Sequence, residues 1–158
     1  MTAIYLIKAM AEAVRSVVKD FKLIAELQPM KPVTVYEQYL PADKFEDDTF
    51  YPLVIVSCRN IEYEGEHRFG GDRIATILLT IGVYGGDKED GWRDLFNIAE
   101  RISQYLFTTP TLADKFPLET LPEFEPIPEQ PEPFYFGNIL VKYKLAMPVI
   151  QLGIRSEE

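Results

Sequence analysis

Apolar residues recur at helical spacing over residues 3–27, at Ile4, Ile7, Ala11, Val14, Val18, Phe21 and Ile24, with Lys8, Glu12, Arg15, Lys19, Lys22 and Glu26 on the other side. That period predicts an amphipathic helix. Thr2 stands where an N-cap belongs, and Pro29 with Pro32 ends the pattern. Such a helix is roughly 37 Å long at 1.5 Å per residue, and its apolar stripe must cover a sheet or a neighbouring helix. Its polar face mixes acids with bases, which suits a core-covering helix better than one lying on anionic lipid. A second helix is predicted over residues 91–107. There Trp92, Leu95, Phe96, Ala99, Ile102 and Leu106 form the stripe opposite Arg93, Asp94, Asn97, Glu100, Arg101 and Gln104, and Asp87 or Asp90 caps the start.

Between and after these helices the period changes from helical spacing to alternation or continuous β-branched runs, which predicts strands at about residues 33–40, 51–63, 72–84 and 134–150. In the second, Val54, Val56 and Cys58 share one face and Leu53, Ile55 and Ser57 the other, both mainly apolar, so it should be covered on both sides. The third carries Ala75, Ile77, Leu79, Ile81 and Val83 on one face, and at about 3.3 Å per residue it spans roughly 43 Å. A typical strand has about 5–6 residues, so the hairpin closed near Gly70-Gly71 should cross the whole body and project from it as an arm. Residues 117–133 hold six prolines among five glutamates. Proline at this density rules out a helix or a central strand and favours an extended connector. The expected fold is one α+β domain over residues 1–158: a mainly antiparallel sheet with a long β-hairpin, flanked by two amphipathic helices.

Charge and composition narrow the function classes. The chain has 158 residues, 47% of them hydrophobic, and a net charge of −9. An acidic surface has few cations to neutralise phosphates, which argues against tight nucleic-acid binding but suits a surface past which DNA must slide. Lys8 and Glu12 interrupt the apolar N-terminal run, so neither a signal h-region nor a membrane span fits, and a cytoplasmic location is expected. One cysteine and one histidine leave little for a disulfide or a soft metal site. Cys58, on an alternating strand, reads as a buried small side chain rather than a nucleophile.

The acidic clusters do not reach a catalytic pattern. Asp43, Glu46, Asp47 and Asp48 lack the glycine-punctuated spacing of a cation loop, and residues 87–91 lack the alternating ligands and final glutamate of a calcium loop. Asp87 and Asp90 could be imagined as paired carboxylates in a hydrolase, yet no nucleophile and base accompany them and helix capping uses them better. No catalytic, cofactor or metal residue is nominated. Two surfaces are nominated as subunit or partner interfaces: the outer part of the hairpin, with Arg59, Glu62, Glu64, Glu66, His67, Arg68 and Arg73, and the proline-rich connector, with Glu123, Glu125 and Glu129. Exposed strand edges on an arm are a natural device for pairing with a neighbour.

Two stretches carry a family resemblance. A strand ending GVYGG followed by DKEDGWRDLFNIAERISQYL (residues 82–106), and LPEFEPIPEQPEPFYFG (residues 121–137) leading into the last strand, resemble the corresponding regions of tail-terminator and tail-completion proteins of long-tailed bacteriophages. The resemblance implies a non-enzymatic virion protein that assembles with copies of itself into a ring, commonly a hexamer. Such a ring would cap the tail tube, end its growth and offer a surface to the head or neck. The implied partners are the protein itself, the tube protein and a head-tail connector, with DNA passing through unbound, no membrane and no cofactor. The implied location is the virion tail, assembled in the bacterial cytoplasm. Another neck or head-completion connector, or an interaction module with no phage link, are the alternatives.

Overall fold

The apolar run that follows Asp72 forms the longest strand and the centre of the molecule. The computed structural model describes residues 2–19, 32–64, 72–85 and 91–146. In chain order the elements are α1 (Ala3–Val18), β1 (Thr34–Glu37), two 3-10 turns (Ala42–Glu46 and Asp48–Phe50), β2 (Leu53–Glu64), β3 (Asp72–Tyr84), α2 (Trp92–Phe107), β4 (Thr111–Leu112), β5 (Phe116–Pro126) and β6 (Phe134–Leu145). The fold is α+β, with one mixed six-stranded sheet in the order β1-β2-β3-β6-β5-β4. Only β1 and β2 run parallel; every other described pairing is antiparallel.

Both helices lie on one face of this sheet. Ala75, Ile77, Leu79, Ile81 and Val83 of β3 and Ile139, Val141, Tyr143 and Leu145 of β6 are buried there against Leu6, Met10 and Val14 of α1 and Leu95, Ile98 and Ile102 of α2. On the opposite face, a second apolar cluster of described residues forms at one end. It consists of Leu40, Tyr51, Leu53 and Ile55, closed by Phe45 and Phe50 of the 3-10 turns and by Phe134 and Phe136 of β6. Tyr51 organises it: its ring centroid is 4.9 Å from that of Phe134 and 5.8 Å from that of Phe136, and its hydroxyl donates to the Phe45 carbonyl at 2.8 Å. Gly82 of β3 lies under these rings, where an added Cβ would stand 2.7 Å from Tyr51 and 2.8 Å from Phe136. A side chain there would lift the aromatic cover off the strand.

Several expectations shift. The helix expected over residues 3–27 is described as α1 to Val18, with Lys19 as its C-cap, and residues 20–31 lie outside the described residues. Its buried stripe is Leu6, Met10, Ala11, Ala13, Val14 and Val18, while Ile4 is 64% exposed. The predicted face is therefore rotated, because the first turn of α1 sits beside an open cleft and not on the core. In α2, Asp94 is buried and Trp92 is 44% exposed, the reverse of their expected faces. A carboxylate in the first helical turn is favoured by the positive end of the helix dipole. The α2 N-cap is Gly91, without a side-chain cap; Asp87 and Asp90 lie outside the described residues, as do residues 147–150 of the last expected strand.

Residues 117–133, expected as a connector, contain most of β5, which pairs with β6 from Leu118 to Pro126. Proline is compatible with this position because, apart from the two-residue β4, no strand lies on the outer side of β5 among the described residues. The hairpin of β2 and β3 has the expected length, but it is no free arm over its described residues, since β6 accompanies β3 as far as the Arg73–Leu145 pair.

Among the described residues, the buried hydroxyl of Tyr143 has no hydrogen-bond partner. Burial, with Tyr105 adding to it, pushes Tyr143 above the usual tyrosine range, and burial pushes Tyr51 up to about 12. For both groups the folded state prefers the neutral phenol, so their contribution to stability is intact below about pH 10 and is lost progressively as pH rises above it, for Tyr51 through about 12. Tyr143→Phe should therefore leave stability unchanged or raise it by about 1 kcal/mol in urea denaturation, and should flatten the fall in stability between about pH 10 and 12. A loss above about 1 kcal/mol would reveal a partner for this hydroxyl.

Candidate functional site: an uncovered sheet edge beside an apolar cleft

Every open sheet leaves main-chain donors and acceptors at its rims, and the way each rim is treated marks where another chain can join. On the β1 rim, Arg15 of α1 donates through Nη2 to the Val35 carbonyl at 3.2 Å and stands 3.4 Å from the Glu37 carboxylate. Arg15 thus takes the Val35 acceptor on the rim of a strand only four residues long, which leaves little edge for another chain. On the far rim, Ile127 donates its N–H to the Phe136 carbonyl at 3.1 Å, so antiparallel alternation turns the nitrogen of Pro126 outward. Proline has no hydrogen to give there. Pro117 and Pro122 lie in the same strand, which makes β5 a poor template for a further strand.

β2 is treated differently. β1 pairs only with Leu53–Val56 and then stops at Gln38, whose backbone is left-handed at φ 69°. That turn aims the Gln38 carboxamide at Cys58: its oxygen accepts from the Cys58 N–H at 3.0 Å and its nitrogen donates to the Cys58 carbonyl at 3.3 Å. One side chain thereby extends the ladder by one residue. Beyond it, no strand covers β2 among the described residues, and the six residues Arg59–Glu64 are all exposed.

A β-bulge lies in between, where the register with β3 moves from Cys58↔Ile77 to Asn60↔Thr76 and leaves Arg59 as the extra residue. An inserted residue reverses the facing of everything after it. Ile61 and Tyr63 therefore turn to the helix side, and Asn60, Glu62 and Glu64 to the other. On the helix side an open cleft of about 610 Å³ lies between the first turns of α1 and this part of β2, lined by Ala3, Ile4, Ile7, Cys58 and Ile61 together with the polar Glu37, Gln38 and Asn60. Cys58 in that wall is half-buried; burial pushes its thiol up, against a smaller lowering effect from a backbone hydrogen bond with Asn60. A thiol so placed is not activated for nucleophilic attack.

Of the nominated residues, Arg59, Glu62 and Glu64 stand on this exposed edge, whereas Glu66, His67 and Arg68 lie outside the described residues. Arg73 is half-buried at the start of β3 and donates to the Ala146 carbonyl at 3.2 Å. Glu123 and Glu125 are exposed on β5, and Glu129 is exposed in the turn before β6. The two nominated surfaces do not come together: β3 and β6 separate them by roughly 14 Å at about 4.8 Å per strand. Sequence reading missed Gln38, Ile4 and Ile7 as parts of the site. A lone glutamine where a β-branched run ends was the available signal. Among the described residues no group of three or more His, Cys, Asp or Glu side chains could hold a metal ion, and no helix is long and apolar enough to cross a membrane.

Gln38→Ala removes both bonds to Cys58 without touching the core. Unfolding free energy should fall by about 1–2 kcal/mol, and the Cys58 amide should exchange with solvent at least about tenfold faster than in the parent while β3 amides keep their protection. Unchanged Cys58 exchange would mean that the carboxamide does not close the ladder.

No protein-family model matches the sequence, and no curated protein matches it. Among solved structures, the chain is similar to a cryo-EM structure of the PVC sheath/tube terminator, in the extended state, of an extracellular contractile injection system. The identity is 12% and the TM-score 0.47, over 95% of this chain and 61% of that one. The chain thus spans less than two thirds of the length of that terminator.

Proposed function

We propose that the chain is a structural subunit of a phage or phage-derived tail: a terminator that assembles with its own copies into a ring, hexameric as in the family it resembles in sequence. The ring caps the tail tube, ends its growth and offers the attachment surface for a head or neck protein. The observation that carries this reading is the exposed edge Arg59–Glu64 set beside an apolar cleft. A monomeric enzyme has no use for an unprotected strand edge, whereas an assembly subunit does.

The charge of the chain agrees with the role. Each copy contributes −9, so a ring repels DNA from its walls and lets it pass without holding it. Close-set acidic copies also repel one another through solvent, and at low salt, where the screening length grows from about 8 Å at physiological ionic strength to about 30 Å at 0.01 M, rings should form less readily.

The direct test mixes the purified chain with tubes polymerised from a phage tail-tube protein, and images the tube ends by electron microscopy. Rings at tube ends, with tubes that stop lengthening, are the expected result. Binding only to the head vertex would transfer the reading to a neck connector, and bare, growing tube ends would overturn the cap. Ring occupancy should rise at least about twofold between 0.02 M and 0.15 M salt, as screening relieves the repulsion.

A further inference from the structure

We propose that away from the tube the free protein is a symmetric dimer, in which the β2 edges of two copies pair antiparallel about a two-fold axis at Ile61. This inference goes beyond the ring reading, because a two-fold pairing closes at two copies. It gives the assembly edge an occupant before a tube is available.

The choice of a second copy follows from the inventory of rims. Strand addition needs one open edge on each participant. Among the described residues the β1 rim is short, with Arg15 on its Val35 acceptor, and the β5 rim carries prolines, which leaves β2 beyond Cys58 as the long, proline-free edge. By strand pairing, a copy that offers only that edge can join a second copy only through the same edge, so this contact is self-complementary and closes; in the ring the edge meets a different, non-strand surface of its neighbour.

The register follows from side chains. Past the bulge, Asn60 and Glu62 face β3 with their main-chain groups, and those of Ile61 face outward. Centring the axis on Ile61 makes the two Ile61 residues exchange N–H···O=C bonds and places Asn60 of each copy opposite Glu62 of the other, amide against carboxylate, twice. Centring on Glu62 would set two carboxylates directly opposite each other, which is destabilising. Centring on Asn60 would set Glu62 of each copy opposite Cys58 of the other, whose main chain Gln38 already holds, and carry two further residues past it, whereas the Ile61 register brings only Glu64, the last described residue of β2, to that position. On the helix side, the Ile61 register brings the two apolar clefts together, so that Ile4, Ile7 and Ile61 of both copies share one covered surface. Burial of these side chains supplies the apolar contribution that a short ladder lacks.

The experiment uses the full chain without tubes. Sedimentation velocity from about 1 to about 100 μM should show a reversible monomer–dimer equilibrium, and Ile61→Lys, at a site already 36% exposed, should keep the thermal transition and raise the dissociation constant at least about tenfold. In a Cys58→Ser background, Ile61→Cys should form an intermolecular disulfide under mild oxidation, because Cα atoms of directly paired residues lie about 5.5 Å apart. Glu64→Cys should not, its copies being about 20 Å apart in this register. A strict monomer over the whole range, a dimer indifferent to Ile61→Lys, or Glu64→Cys crosslinking as well as Ile61→Cys would each overturn the inference. Rings on tube ends together with a monomeric free protein would overturn it while leaving the cap reading intact.

Discussion

β3 is paired along most of its length on both sides, to β2 from Asp72 to Gly82 and to β6 from Arg73 to Tyr84. Most of what distinguishes this molecule depends on that double pairing. A two-stranded ribbon as long as the β2–β3 hairpin would be marginal by itself in water. With β6 as a third strand, and with Ile74, Ala75 and Thr76 buried near the outer end, the ribbon holds its shape where β1 has already ended. The outer half of β2 can therefore remain exposed on both faces without collapsing onto the body.

The treatment of the remaining edges follows the same logic. Natural sheets protect rims with charge, proline, bulges or a covering element, and this sheet distributes those devices unevenly. Arg15 takes the Val35 acceptor on the short β1 rim, prolines blunt β5, and Gln38 finishes the covered part of β2. The outer part of β2 keeps only the bulge and its charges. Its glutamates discourage indiscriminate pairing with other acidic copies, while the register in which Asn60 meets Glu62 avoids a direct clash of charge. The surface ion pairs of Lys144 with Asp72 and Glu119, at 3.6 and 3.7 Å, steady the far face but contribute little free energy in solvent. Specificity at such an edge comes from register and from the apolar cleft beside it.

Much of this architecture could be read from residue patterns, and the gaps have physical causes. The bounds of β3 follow from its unbroken apolar, β-branched run, and α2 from its stripe at Leu95, Ala99, Ile102 and Leu106. Burial of one face leaves such segments little freedom. Met10 was missed because a flexible side chain carries no clear signal of facing, and Ile4 was assigned inward because periodicity alone cannot tell that the first turn of a helix overhangs a cleft. Proline density across residues 117–133 points to a connector and hides β5; a proline at an outer rim forgoes no ladder bond, so strand and proline coexist there. The site itself was half legible. Arg59, Glu62 and Glu64 stood out as charged residues on an overlong hairpin, but the bulge at Arg59, which decides that Ile61 faces the cleft, and the turn at Gln38, which decides where the edge begins, are set by main-chain geometry that composition does not report.

The account therefore rests on one claim, that the rim of β2 beyond Cys58 is the surface through which this protein assembles. Hydrogen–deuterium exchange compared between the dilute chain and the same chain bound at tube ends tests it most directly. The account predicts fast exchange at Ile61 in the dilute chain and protection by at least about tenfold in the assembly, while the β3 amides, already bonded on both sides, change little. Protection that appears on the β5 rim or on the helices, with residues 59–64 exchanging as fast in the assembly as in the dilute chain, would contradict it.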